Sequence, residues 1–130
     1  RHQKLIEIAP SPALPDGLRR RIVAAAVQFA RAVGYRSLGT FEFLVPCESA
    51  LTDRSEFSFI ETNARLQVEH PVTEEITGVD LVATQLRLAE GATLQELGID
   101  TGAPPAPRGF AIQCRVNMET MAPDGNVLPS

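Results

Sequence analysis

The chain has 130 residues, 44% hydrophobic and 22% charged, with a net charge of −4. That is one soluble globular domain's worth of sequence, long enough to bury a core. It argues against a general nucleic-acid binder, and no apolar run is long enough for a membrane span or a secretory signal.

Leu5-Ile6-Glu7-Ile8 alternates as a short strand, closed by Pro10, Pro12 and Pro15. Asp16 is placed to cap a helix over 18–33, whose apolar face is Leu18, Ile22, Ala25, Ala26, Phe29 and Val33, with Gly34 ending it. Arg19-Arg20-Arg21, the only basic run, reads as a solvated face of that helix. Residues 38–45 form a strand with Phe41, Phe43 and Val45 on one side and Thr40, Glu42 and Leu44 on the other. Residues 57–61 return antiparallel to it after a long, variable-looking loop. The register that would put Glu42 and Glu61 on one face is not fixed by the sequence. From Thr62 to Glu75 the residues read as a polar, site-forming loop.

A second helix runs from 78–80 to about Ala89, followed by a turn near Leu94 to Leu97 and a proline-rich stretch over 101–107. Residues 109–117 alternate as a half-buried strand, with Phe110, Ile112, Cys114 and Val116 opposite Gln113, Arg115 and Asn117. The last residues, with Pro123, Gly125 and Pro129, read as loop. Cys47 and Cys114 match no zinc or C-x-x-C spacing and are expected to be reduced thiols of a cytoplasmic protein. The absent start methionine and abrupt end suggest a piece of a longer polypeptide.

Three groups carry chemistry. Glu42, Glu61 and Asn63 offer hard oxygen ligands suited to Mg²⁺ or Mn²⁺. From spacing alone, solvated glutamates on an exposed hairpin explain two of them more simply. Arg65, Gln67, Val68 and Glu69 can bind a planar oxyanion, with the carboxylate as its base. The bland alternative is a loop salt bridge between Arg65 and Glu69. His70 reads as a loop residue. His2 and Lys4, the only lysine, could share one side of an extended start as anion donors. Arg115 is either an anion or carbonyl anchor or a structural ion-pair partner. No Walker-type phosphate loop is present.

Taken together, residues 1–4, 39–44, 59–70, 77–81 and 114–117 resemble the biotin carboxylases of the ATP-grasp superfamily, in that family's order. Gln67-Val68-Glu69-His70 is the segment that separates this group from carbamoyl-phosphate synthetases. The resemblance implies an α+β fold, an ATP-grasp subdomain with an antiparallel sheet and flanking helices. Residues 1–104 would be the C-terminal part of the ATP-grasp domain and 105–130 the start of the biotin carboxylase C-terminal domain. It implies metal held by Glu42, Glu61 and Asn63, and ATP contacted by His2, Leu44, Glu42 and Glu61. Bicarbonate would be surrounded by Lys4, Arg65, Gln67 and the Val68 backbone N–H. Glu69 would be its base, with Arg65 and Arg115 also catalytic and Arg115 holding the ureido oxygen of biotin.

The implied cofactors are ATP, Mg²⁺ or Mn²⁺, and biotin on a carrier protein. The implied partners are a biotin carboxyl carrier and a carboxyltransferase component, with a homo-oligomeric parent that is cytoplasmic, or mitochondrial if eukaryotic, and binds neither nucleic acid nor membrane. Ala64 departs from the family pattern without harm, and the loop over 45–56 looks like a tolerated insertion. The nucleotide lid is expected before Arg1, so the piece alone should not turn over. The rivals are another ATP-grasp ligase, such as carbamoyl-phosphate synthetase, and a non-catalytic assembly module.

Overall fold

The computed structural model describes residues 4–46, 50–99, 105–116 and 118–129. Its elements run β1 (Ile6–Ala9), α1 (Asp16–Ala32), β2 (Thr40–Leu44), β3 (Ser58–Asn63), α2 (His70–Thr77), α3 (Leu81–Ala89), β4 (Ala111–Cys114), β5 (Glu119–Met121) and β6 (Val127–Pro129). The strands pair antiparallel as β1–β4, β2–β3 and β5–β6. This is the α+β fold expected, with antiparallel ladders flanked by helices.

Helix α1 packs an aromatic cluster onto the β2–β3 hairpin. Phe29 stacks on Phe59 at 5.2 Å and meets Phe41 edge-on at 5.6 Å. Tyr35 packs edge-on against Phe41, and Phe43 against both Phe57 and Phe59. Leu18, at the start of the same helical face, is completely buried. Edge-to-face and offset geometry suits ring quadrupoles, so these contacts add specificity to the area they bury.

The hairpin register resolves what alternation could not. Glu42 pairs with Glu61 and Phe43 with Phe59, so Ile60 is an extra residue at a bulge. Two residues apart on a regular strand, Phe59 and Glu61 would share a face. The inserted residue breaks that parity. Phe59 therefore joins Phe43 in the aromatic cluster, while Glu61 faces the same side as Glu42. The strand also continues to Asn63, two residues past its expected end.

Several local expectations are corrected. Asp16 is the first helical residue, not the cap, and pairs with Arg19 at 3.6 Å. The cap comes from the hairpin loop, where Asp53 Oδ1 accepts from the Gly17 N–H at 2.8 Å. A Cβ at position 17 would run into that carboxylate, so the docking needs glycine. Arg21 is not simply solvated. It donates to the carbonyls of Asp53 and Ser55 at 2.9 Å each and lies 5.2 Å over the Phe57 ring. The loop that read as a variable insertion is thus tied to the start of α1.

Next, the polar loop expected through Glu75 ends at His70, where α2 begins. Pro71 occupies the first turn, where its missing N–H costs nothing. Val72 and Ile76 are buried one turn apart, and Gly78 closes the helix at φ 72°. Asp80 then caps α3 by accepting from Ala83 N at 2.7 Å.

The 109–117 strand shows the opposite burial from its apolar pattern. The Ala9, Ala111 and Gln113 side of β1–β4 is the partly covered one, and Ile6, Ile8 and Ile112 are exposed. Helix α2 lies against this sheet, and Arg108 N–H donates to Ile76 O at 2.8 Å. No described residue covers the apolar side. Finally, residues expected as terminal loop form the β5–β6 hairpin, turned by Pro123-Asp124-Gly125-Asn126, with Ala122 N–H donating to Asn126 O at 2.8 Å. Cys114 is a free, exposed thiol, and Cys47 lies outside the described residues.

Candidate active site

Four chain segments meet at the open end of the β2–β3 hairpin. The hairpin brings Glu42, Glu61 and Asn63; the turn before α2 brings Arg65, Gln67, Val68 and Glu69; and the paired ends of β1 and β4 bring Lys4 and Arg115. Together these line a cavity of about 270 Å³. The pairing explains the last two. The Arg115 N–H donates to Leu5 O at 2.8 Å, which places Arg115 beside the residue after Lys4.

Lys4 is the hub. Its ammonium donates to Glu69 Oε1 at 2.6 Å, Glu42 Oε1 at 2.7 Å and Gln67 Oε1 at 3.1 Å, so all three of its donors are used. Its backbone sits at φ 55°, a left-handed conformation that costs a non-glycine residue energy and often marks functional positions. Glu42 Oε1 also accepts from Asn63 Nδ2 and Gln67 Nε2 at 3.2 Å each. Glu61 Oε1 accepts from the same Asn63 nitrogen at 2.9 Å. Gln67 is buried and held between Lys4 and Glu42 by these bonds.

The charges reinforce one another. Burial opposes the charge on Lys4, but hydrogen bonds and attraction from Glu42 and Glu69 outweigh it and raise its pKa above the ordinary value. The Lys4 bond, helped by Gln67 and Asn63, lowers Glu42 against the effect of burial. Burial pushes Glu69 up, but Lys4, its own backbone N–H and the charge of Arg115 prevail and lower it. Arg115 Nη2 is 3.8 Å from Glu69 Oε2, close enough for attraction but long for a hydrogen bond. Arg65 donates to Leu66 O at 3.2 Å, which uses one of its five N–H groups.

The donor set fits a divalent cation. Glu42 and Glu61 already converge on one positively polarised group, the Asn63 amide. A cation in its place needs that amide turned to present Oδ1. Among the described residues there is no cluster of three His, Cys, Asp or Glu able to hold a metal. Such an ion would therefore take its remaining oxygens from phosphate and water, as Mg²⁺ commonly does.

Of the site residues that the resemblance implies, the cavity gathers all but Leu44 and His2. Leu44 is on the Glu42 side of β2 but 62% exposed, beyond the cavity. His2 lies outside the described residues. His70 opens α2, with Nδ1 2.9 Å from Gln67 O. Gln113 was given no role, yet its Nε2 donates to Val68 O at 3.0 Å. The available signal was its spacing of two residues from Arg115 on a strand.

With this geometry in place, the chain's relatives can be compared. Residues 1–97 match the family described as carbamoyl-phosphate synthase L chain, ATP binding domain, and the chain belongs to that family. Within it, the similarity is to biotin-dependent carboxylases. The chain is 54% identical over 122 residues to pyruvate carboxylase 1 of Caenorhabditis elegans, covering 94% of this chain and 10% of that protein. It is 56% identical over 119 residues to biotin carboxylase 2 of Bacillus subtilis, covering 92% of this chain and 24% of that protein. A solved single-chain, multi-domain long-chain acyl-CoA carboxylase superposes with a TM-score of 0.85 at 48% identity, over 99% of this chain and 13% of that one. The chain thus spans about a tenth to a quarter of the relatives it matches.

Proposed function

We propose that this chain supplies the metal- and bicarbonate-binding half of a biotin carboxylase site within a larger biotin-dependent carboxylase. The observation that carries this is the convergence of Lys4, Glu42, Glu61, Asn63, Arg65, Gln67, Val68, Glu69 and Arg115 on one cavity. A binding module without chemistry has no need of a lysine shared between two carboxylates beside two arginines.

In this reading a bicarbonate oxygen attacks the γ-phosphorus of ATP, the bond to ADP breaks, and carboxyphosphate forms. Carboxyphosphate then releases carbon dioxide, the phosphate left behind takes the proton from the biotin nitrogen, and that nitrogen bonds to the carbon of carbon dioxide to give carboxybiotin. A divalent ion at Glu42, Glu61 and Asn63, when bound, neutralises phosphate charge. Arg65 and the Val68 N–H hold the planar anion, and Lys4 joins them by giving up a carboxylate partner.

That exchange matters for Glu69. Held by Lys4 at 2.6 Å, it is a stabilised carboxylate and a weak base. An incoming anion that diverts Lys4 and adds like charge raises its proton affinity, so Glu69 becomes a competent base only once bicarbonate is present. Arg115, 31% exposed at the cavity, would meet the ureido oxygen of biotin from solvent. His2 and Leu44 would contact the nucleotide.

We assign residues 1–104 to the ATP-grasp domain and 105–130 to the start of the next domain, with β4 pairing across that division onto β1. The cofactors are ATP, Mg²⁺ or Mn²⁺, and biotin on a carrier protein. The partners are that carrier, a carboxyltransferase component and further copies of the parent, in the cytoplasm or, in a eukaryote, the mitochondrion. The test is ATP cleavage by the complete polypeptide. ADP release should require bicarbonate and rise with free biotin. Cleavage indifferent to bicarbonate would refute the assignment and favour an assembly module.

A further inference from the structure

We infer that Gln113 is a positioning residue for Glu69, acting through the peptide that joins Val68 to Glu69. The inference rests on the carboxylase reading above.

The Gln113 side chain reaches 45 residues back along the chain to donate from Nε2 to Val68 O at 3.0 Å. A trans peptide points its C=O and N–H in opposite directions. Holding the Val68 carbonyl toward β4 therefore turns the Glu69 N–H the other way and fixes where the Glu69 carboxylate starts. Arg115 lies two residues along the same strand and reaches Glu69 Oε2 at 3.8 Å. Across the ladder, Gln113 pairs with Glu7 on β1, the strand that Lys4 leads into. One strand face thus sets the backbone of Glu69, approaches its carboxylate with a cation and is registered to the lysine that holds it.

Simple packing does not account for this side chain. Gln113 Oε1 is buried and has no hydrogen-bond partner among the described residues. A buried, unsatisfied acceptor is a cost that an apolar residue of the same length would not carry. What the amide supplies in return is the donor to Val68 O.

The test uses Gln113→Met, which keeps length and volume but cannot donate, and Gln113→Ala in the complete polypeptide. Both should raise the KM for bicarbonate in ATP cleavage by about tenfold, the scale of one lost hydrogen bond. The KM for ATP should stay within about twofold of wild type, because the metal-side carboxylates are held by Lys4 and Asn63. A wild-type bicarbonate KM in Gln113→Met would overturn the inference. Equal rises in both KM values would overturn it too, by showing a general structural role. Wild-type protein that cleaves ATP without bicarbonate would instead sink the carboxylase reading, and this inference with it.

Discussion

Replacing Glu69 with Gln should lower bicarbonate-dependent ATP cleavage by about 10²- to 10⁴-fold, the range for losing a positioned general base. The KM for ATP should change by no more than a few-fold. The substitution is nearly isosteric and keeps an oxygen that can accept from Lys4, so the site should stay assembled. What is lost is the ability to take a proton, together with the negative charge that Lys4 now neutralises. Glu69 is only 17% exposed in its side chain, so solvent base has poor access to substitute for it. A Glu69→Gln protein with wild-type turnover, measured as ADP release at saturating bicarbonate, would show that the proton leaves by another route. The assignment of the anion loop would then need to be rebuilt around Arg65 alone.

Replacing Arg115 with Ala should separate the two half-reactions. Biotin carboxylation should fall by about 10²- to 10³-fold, as when one donor to a developing oxyanion is removed. Bicarbonate-dependent ATP cleavage without biotin should fall far less. Arg115 approaches Glu69 only at 3.8 Å, whereas Lys4 holds that carboxylate at 2.6 Å and carries most of its stabilisation. The two rates are read in parallel as carboxybiotin formed and as ADP released. Equal losses in both would place Arg115 in the bicarbonate site and remove it from the biotin site.

Much of this site was legible in the sequence because its residues fall in short, dense motifs. The Glu61 to Glu69 segment alone supplies one carboxylate and the amide of the proposed metal set, as well as the proposed anion loop. The helix over Asp16–Ala32 and the paired strands around Glu42 and Glu61 follow from apolar periodicity. The bulge at Ile60 was not legible, since register is decided by which face the aromatic cluster covers. That one inserted residue explains how Phe59 and Glu61 serve opposite sides.

Helix α2 was hidden by its own composition. His70, Thr73, Glu74 and Glu75 read as loop, although Pro71 in the first turn and Gly78 at the end marked its limits. The β5–β6 hairpin escaped because strands of three residues carry no period, although Asp124-Gly125 signalled its turn. The reversed burial of β4 has a different origin. Its polar side is committed to the site through Gln113 and Arg115, and α2 packs on that side to deliver Val68 and Glu69. The docking of Asp53 onto Gly17 is a long-range contact that no local pattern announces.

The central claim is that this cavity holds bicarbonate for attack on ATP, and oxygen transfer tests it directly. The complete polypeptide would be given ATP, biotin and bicarbonate labelled with ¹⁸O, and the released phosphate analysed by mass. If a bicarbonate oxygen bonds to phosphorus and stays there when carbon dioxide leaves, each phosphate carries one labelled oxygen. Phosphate without label would mean that water, not bicarbonate, attacks ATP, and would contradict the role given to Lys4, Arg65, Gln67, Val68 and Glu69.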